Sequence, residues 1–312
     1  MKRVCIPGIV DIVTSEDAAE IESFAQDPNL DRAFADRSIL TNETILQRVL
    51  DILQIGGTPL PTVSPRCASG RAEAQTALWN RLNSLAPAYS AGPDDLESLA
   101  AFVRGVGSDD SCGILVQQVV GSLFASSFQA TQASWDAALL LDQAVHTVNP
   151  GLIAWLAITK QADQAKQLLS DMVGGDLAAV HAIGFALHNI VSGVNLMRQL
   201  YGDPAGGTAL SPDAAGSRCL FAPVNILRQP TAPDPAAKGE LETGTLLILS
   251  LQAANANAPD ANLAFLRGTW SMCPAEQWVP ALLQGIWRRA CDSQAQNQGN
   301  ANPDSHRSGI AS

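Results

Sequence analysis

Apolar residues recur at helical spacing along most of the first 200 residues. In the segment 41–53, Ile45, Val49, Ile52 and Leu53 fall on one face of a helix, and polar residues occupy the opposite face. The longest uninterrupted pattern begins at Asp176, an N-cap residue, and contains no proline. The same periodicity predicts helices at 15–27, 41–53, 71–86, 94–105, 114–124, 134–145, 152–172 and 176–200.

The pattern changes after residue 205, where Gly, Pro and short apolar runs replace the helical period. The run 244–251 is typical of a strand, and 274–290 returns to a helical pattern with Pro274 in the first turn. From Asp292 the chain is rich in Ser, Asn, Gln and Gly, which indicates a disordered polar tail. We therefore predict a mainly α fold with a minor β region, in one domain over 1–291 and a tail over 292–312.

Composition and charge exclude several classes of partner. Apolar residues make up 46% of the 312 residues, which is ample for a core, and the net charge is −11. Such an acidic surface argues against nucleic acid and against docking on an anionic membrane. We expect no signal peptide and no membrane-spanning helix. The six cysteines show no CxxC spacing, so a reduced, cytoplasmic location is expected.

One cysteine stands in a context that suggests chemistry. Cys273 directly precedes Pro274 at the start of a predicted helix, where unpaired backbone N–H groups would stabilise a thiolate. A thiolate in that place is able to bind a metal, and haem iron accepts a single axial cysteine. The alternative is a buried structural cysteine in the loop that enters the helix.

The region 218–290 resembles the C-terminal part of the cytochrome P-450 superfamily, the haem-thiolate monooxygenases. Arg218 and the following Pro223-Val224 resemble the end of the family's Glu-x-x-Arg helix and its turn, with Arg228 shortly after. The run 244–255 resembles the strand that ends in Ala-Ala-Asn. Phe265, Gly268 and Cys273-Pro274 then resemble the haem-ligand loop. Earlier in the chain, 12–34 and 72–90 resemble a strand-helix segment and the helix whose basic side chain meets a haem propionate.

The chain departs from the family pattern at several motif positions. Ala215 stands where the family has the Glu of Glu-x-x-Arg, and Phe265 lies eight residues before the cysteine instead of seven. Ser271 and Ala275 replace the usual His or Arg and the usual Gly on either side of the cysteine. The chain is also shorter than the family norm. The resemblance therefore implies a divergent P-450-like fold, truncated at both ends.

The resemblance also implies a cofactor and a set of site residues. Haem b, the iron protoporphyrin IX, would have Cys273 as its metal ligand. Its other binding residues would be Arg81, Arg228, Phe265, His181 and Gly184. Trp79, Trp270 and Trp278 would either pack around the porphyrin or belong to the ordinary core.

The helix from Asp176 would cross the distal face of the haem, where the family has an acid-alcohol pair. This chain has no such pair there, and His188 and Asn189 are the candidate catalytic residues. An imidazole or an amide suits a peroxide or a polar substrate group better than it suits relay of protons to oxygen.

We thus expect a haem-thiolate oxidoreductase, monooxygenase- or peroxygenase-like, that oxidises a small, largely apolar organic molecule, with an electron donor as a candidate partner. A haem-thiolate isomerase, lyase or peroxygenase acting on a peroxide or pre-activated substrate is one alternative. A haem-free helical binding or assembly protein is the other.

Overall fold

The computed structural model describes residues 1–108, 110–147, 149–203, 210–231, 241–256 and 260–300, and these form a mainly helical fold with a minor sheet region. The fold class predicted from the sequence is therefore confirmed. The helices are α1 (Ala18–Gln26), α2 (Leu40–Ile52), α3 (Arg71–Ser90), α4 (Glu97–Val103), α5 (Ser111–Ser122), α6 (Gln132–His146), α7 (Pro150–Thr159), α8 (Gln161–Met172), α9 (Leu177–His181), α10 (Leu187–Tyr201), α11 (Pro212–Arg218), α12 (Leu251–Asn255), α13 (Ala261–Phe265) and α14 (Trp278–Asn300).

The larger sheet joins the beginning of the chain to its last third. The strands are β1 (Lys2–Ile6), β2 (Val10–Ser15), β3 (Leu30–Asp31), β4 (Gln54–Ile55), β5 (Thr58–Pro59), β6 (Ile226–Pro230) and β7 (Leu246–Leu249). The sheet order is β1-β2-β7-β6-β3, with β2 and β7 parallel, and β4 pairs with β5 separately. Buried Asp11 at the start of β2 accepts a 2.5 Å hydrogen bond from the Thr245 hydroxyl and pairs with Arg3 at 2.8 Å. These bonds fix the register of the N-terminal hairpin on β7.

A single helical run forms the centre of the domain. It consists of α9, a π-helical segment at Ala182–Ala186, and α10. The run packs against α4, α5, α6 and α14, and Val180, Ile183 and Leu187 are fully buried in it.

Within the described residues this run alone, Leu177–Tyr201, is long and apolar enough to span a membrane by length and composition. The sequence-based expectation was that no such helix exists. The run has this composition because it is buried among other helices.

Helix α14 approaches α3 so closely that only a glycine fits at the crossing. A Cβ atom added at Gly285 would overlap the backbone carbonyl oxygen of Tyr89 on α3. Gly193 of α10 lies similarly close to the carbonyl oxygen of Cys219, which follows α11. Both glycines are therefore required by the close approach of another part of the backbone.

Several predicted boundaries were wrong, each for a local reason. The helix predicted at 152–172 is divided into α7 and α8, because Lys160 between them has a left-handed backbone (φ 52°). The helix predicted at 71–86 continues to Ser90. In the run 244–251 the strand ends at Leu249, and α12 follows.

The last helix starts and ends later than predicted. It begins at Trp278 instead of at residue 274, which leaves Pro280 in the first turn, where its missing N–H costs nothing. It then continues to Asn300, so the first nine residues of the expected disordered tail, 292–300, are helical. Gln and Ala in this stretch favour a helix. Residues 301–312 lie outside the described part of the chain, and the division into one domain and a tail stays a prediction.

Candidate functional site

The loop that carries Cys273 is closed by a backbone hydrogen bond. Helix α13 ends at Phe265, and Leu266 adopts a left-handed conformation (φ 50°) that reverses the chain. The Cys273 amide then donates to the Phe265 carbonyl at 2.8 Å. The eight-residue spacing between Phe265 and Cys273 is therefore accommodated within a closed loop.

The Cys273 thiol is surrounded by other parts of the protein. The residue is partly accessible, yet burial dominates its titration and raises the pKa of the thiol. The Ala275 amide N–H donates to the sulfur and the charge of Arg32 acts on it, and both lower the pKa, whereas the Glu276 carboxylate raises it. The helix predicted to start at residue 274 begins at Trp278, so the N–H group that reaches the sulfur belongs to the turn at Ala275 and not to a helix end. A metal must therefore displace the proton of this thiol.

Three arginines surround the indole of Trp270, three residues before Cys273. The guanidinium carbons of Arg32, Arg71 and Arg228 lie 5.0, 4.8 and 5.1 Å from the centroid of the Trp270 ring. Arg32 follows β3, Arg71 opens α3, and Arg228 lies in β6, so three separate parts of the chain converge here. We call these four residues the arginine cluster.

The arginine cluster holds donors that no partner satisfies. The Nε atom of each arginine and the indole Nε1 of Trp270 are buried without a hydrogen-bond partner. Arg228 is 1% exposed and Arg32 6% exposed, and neither forms an ion pair among the described residues. Buried donors of this kind are costly unless a ligand satisfies them.

The charges of the cluster repel one another. Burial, followed by the charges of Arg228 and Arg71, holds the pKa of Arg32 well below its usual value. Burial is also the main reason why the pKa of Arg228 falls to about 9. Among the described residues, Asp31 is the one carboxylate whose charge acts in favour of all three arginines. Three cations and one carboxylate leave an excess of about two positive charges.

Hydrogen bonds attach the cluster to the Cys273 loop. Arg228 donates from Nη2 to the Ser271 hydroxyl at 2.7 Å, and Arg71 donates to the Trp270 carbonyl at 3.1 Å. Gln75, one turn further along α3, donates to the Met272 carbonyl. Ser271, a departure from the family motif, thus positions a cation instead of supplying one.

On the central helix, the π-helical segment begins directly after His181. The His181 ring stacks on Phe185, with centroids 6.1 Å apart and an interplanar angle of 19°. Burial, and then the positive charge of Arg32, lower the pKa of His181 to about 4. His181 is therefore a neutral imidazole within reach of the charge of the arginine cluster. A π-helical segment inside an α-helix frequently marks a functional site.

The remaining candidates on this helix have other surroundings. His188 bonds the Ala138 carbonyl through Nε2 at 3.2 Å and packs against Trp135. Gly184 points toward Leu169 and Leu141, where a Cβ would come 3.0 and 3.5 Å from their methyl carbons, so helix packing explains it. Asn189 is partly buried.

The cofactor-binding candidates from the sequence separate into two groups. Phe265, Arg228 and Cys273 come together in the loop and its neighbouring strand, as the hydrogen bonds above describe. Arg81 does not join them: it is exposed, lies over Phe124 at 5.7 Å, and stands ten residues, or about 15 Å, along α3 from Arg71.

The tryptophans also differ from one another. Trp278 packs edge-on against Tyr89 at 5.5 Å, which is an ordinary core contact between α14 and α3. Trp270 instead packs against the three guanidinium groups of the arginine cluster.

The sequence did not reveal Arg32 and Arg71 as site residues, because an arginine that follows a two-residue strand or opens a helix carries no distinguishing pattern.

Comparison with known proteins gives the fold a name. No protein-family model matches the chain, and no curated protein matches it. Among solved structures, a six-coordinated cytochrome P-450 from Thermus thermophilus is similar, with 15% identity, a TM-score of 0.59, and coverage of 92% of this chain and 85% of that chain. The P-450 RauA, in complex with a biosynthetic intermediate of aurachin RE, matches at 12% identity, TM-score 0.58, and 91% and 84% coverage.

A third similar structure is the cytochrome P-450 OleT in complex with arachidonic acid, at 9% identity, TM-score 0.56, and 89% and 80% coverage. At these identities the similarity establishes the architecture alone. The chain has a cytochrome P-450-like fold, as the resemblance of its motifs implied.

Proposed function

We propose that this chain binds haem b through Cys273 and oxidises a small, largely apolar organic molecule. The observation that carries the proposal is the arginine cluster with its unsatisfied buried donors, attached by hydrogen bonds to the loop of Cys273. Protoporphyrin IX presents two carboxylates and an iron atom that accepts an axial thiolate. Its charge and its ligand requirement therefore match the excess charge and the thiol found together here.

Each residue of the site has a definite task in this proposal. Arg71 and Arg228 would pair with the two propionates, since a guanidinium binds a carboxylate through two donors, and the Trp270 N–H would donate to one of them. The Ala275 N–H would hold the sulfur of Cys273, and Phe265 would close the loop behind it. Arg71 takes the place that the sequence analysis gave to Arg81.

The distal side would supply the substrate pocket. Phe185 packs against an apolar cluster that contains Leu60 and Val63, in the segment that follows β5, and Ala182 and Phe185 are only partly buried. Apolar side chains in this place would exclude water and hold an apolar substrate. When bound, the haem supplies the oxygen-transfer chemistry, and the protein contributes binding, orientation and charge.

The partners proposed for the chain follow from the same argument. We propose a cytoplasmic location and, where oxygen is the oxidant, an electron-donor protein as partner. The proposal includes no nucleic acid and no membrane, because the net charge of −11 disfavours both an anionic polymer and an anionic surface.

The test is a haem titration of the purified protein. The proposal predicts one haem per chain and, after reduction under carbon monoxide, the strongly red-shifted Soret band of thiolate-ligated haem. If the protein binds less than one haem per chain, or if its carbon monoxide complex lacks the red shift, the result would favour the alternative of a haem-free binding or assembly protein.

A further inference from the structure

Two polar side chains that have no task in the proposed function lie within reach of each other's charge at the start of the π-helical segment. The first is His181, at the start of the π-helical segment, whose ring is held by stacking on Phe185. The second is Arg32, whose Nη1 donates to the Pro61 carbonyl at 3.3 Å and whose Nε has no partner. The 3₁₀ turn Pro61–Val63 packs directly against α9, which ends at His181. The turn therefore holds Arg32 close enough to α9 for its charge to lower the pKa of His181.

Arg32 is the arginine of the cluster whose charge acts on His181. Asp31 accepts a 2.6 Å hydrogen bond from the backbone amide of Arg32, and its charge acts on all three guanidinium groups. Two guanidinium groups suffice for two propionates, and the proposed function assigns Arg71 and Arg228 to them. The free Nε of Arg32 is then available to stabilise negative charge that develops during a reaction.

The central helix offers no carboxylate to replace this pair. The run Leu177–Tyr201 contains neither Asp nor Glu, so an acid-alcohol relay cannot arise from its own residues. His188 is engaged by the Ala138 carbonyl on α6. His181 is thus the imidazole of this helix that faces a cation.

We propose that His181 and Arg32 act together on a hydroperoxide, so that the chain uses a peroxide instead of oxygen and an electron donor as its oxidant. This inference rests on the proposed haem-thiolate function. It moves the distal chemistry from His188 and Asn189, where the sequence analysis placed it, to His181 and Arg32. Heterolytic cleavage of an O–O bond requires a base that accepts the peroxide proton and a cation that stabilises the negative charge on the departing oxygen. A neutral imidazole beside a fixed guanidinium meets both requirements.

The proton transfer is balanced as follows. His181 accepts the proton of the peroxide O–H and returns it to the departing oxygen, while Arg32 stabilises the negative charge on that oxygen. Over the whole reaction, RH and R′OOH give ROH and R′OH. The O–O and C–H bonds break, a C–O and an O–H bond form, the peroxide gains two electrons and the substrate loses them. At neutral pH the imidazole of His181 is unprotonated and can accept this proton, because burial and the charge of Arg32 lower its pKa to about 4.

Cumene hydroperoxide tests the proposal through its products. Heterolysis of its O–O bond gives cumyl alcohol, whereas homolysis gives acetophenone. We expect the wild-type protein to form mainly the alcohol. The substitutions His181→Gln and Arg32→Leu should slow the reaction by roughly 10²-fold, as loss of a general base does, and shift the products toward acetophenone. Arg32→Lys should restore part of the alcohol fraction, and His188→Gln should match the wild type.

Cyanide provides a readout that is independent of turnover. Hydrogen cyanide must lose its proton to bind as an anion, so His181→Gln should raise its Kd at least about tenfold, and His188→Gln should leave the Kd unchanged. Unchanged cyanide affinity and product ratios in both His181→Gln and Arg32→Leu, with the thiolate spectrum intact, would overturn the inference alone. Absence of the thiolate spectrum in the wild type would overturn the proposed function.

Discussion

The guanidinium of Arg228 lies over the Trp270 ring at 5.1 Å and donates to Ser271 Oγ at 2.7 Å, two residues before Cys273. One buried cation of the β-sheet is thereby attached to the loop of the candidate metal ligand. Because Arg71 reaches the Trp270 carbonyl from α3, the sheet, the loop and a helix meet at one indole. The position of Trp270 thus links the thiol to the proposed propionate site.

The propionate assignment predicts faster haem loss in two variants. Arg71→Leu and Arg228→Leu should each lose about 1.5–3 kcal/mol of haem affinity, since each removes a charge-assisted hydrogen bond. The measurement is transfer of haem to an apo-globin scavenger, where this loss corresponds to roughly 10–150-fold. Arg81→Leu, on the same helix as Arg71 but exposed over Phe124, is the matched control and should behave as the wild type. Equal rates in all three variants would remove the propionate role from the cluster.

The same cluster predicts a gain of stability without haem. Like charges and burial disfavour the Arg32 guanidinium in the haem-free protein, so Arg32→Leu should raise its free energy of unfolding. Urea denaturation of wild-type and variant protein without haem measures the difference. A clear loss of stability would show that Arg32 is compensated by contacts other than those described.

The crossing of α3 and α14 predicts a severe effect of one methyl group. Gly285→Ala would force a Cβ against the Tyr89 carbonyl, and we expect a loss of about 3 kcal/mol in the free energy of unfolding. Gly202→Ala is the control, because a Cβ there would meet its nearest atom at an ordinary 3.5 Å. Chemical denaturation of both variants decides the point, and equal stabilities would contradict this close approach.

The N-terminal hairpin predicts a dependence on pH. Burial raises the pKa of Asp11, but its hydrogen bonds with Arg3 and Thr245 outweigh burial, and the net pKa is lowered. A carboxyl with a lowered pKa stabilises the fold above the unfolded value of about 3.9, and this stabilisation is lost as the pH falls. Asp11→Asn should therefore cost about 1–3 kcal/mol at pH 7 and progressively less below about pH 4. A pH-independent difference in the free energy of unfolding would contradict the assignment.

The sequence predicted the fold better than it predicted the site. Helical periodicity identified the central run, and the order of Arg228, the strand and Cys273 identified the loop, because both signals are local. Arg32 and Arg71 became visible only in three dimensions, since their convergence on Trp270 depends on how β3, α3 and β6 pack. His181 and His188 are both histidines of the central helical run, so the sequence does not distinguish them. The structure does, because His188 bonds the Ala138 carbonyl and His181 stacks on Phe185.

The central claim is that Cys273 is the haem ligand, and the carbon monoxide spectrum of three cysteine variants tests it most directly. Cys219→Ala and Cys291→Ala are the controls: burial raises the pKa of Cys219 to about 12, and Cys291 lies along α14, away from the loop. We predict that both controls retain the strongly red-shifted Soret band of the reduced protein and that Cys273→Ala loses it. Retention of that band in Cys273→Ala would contradict the account.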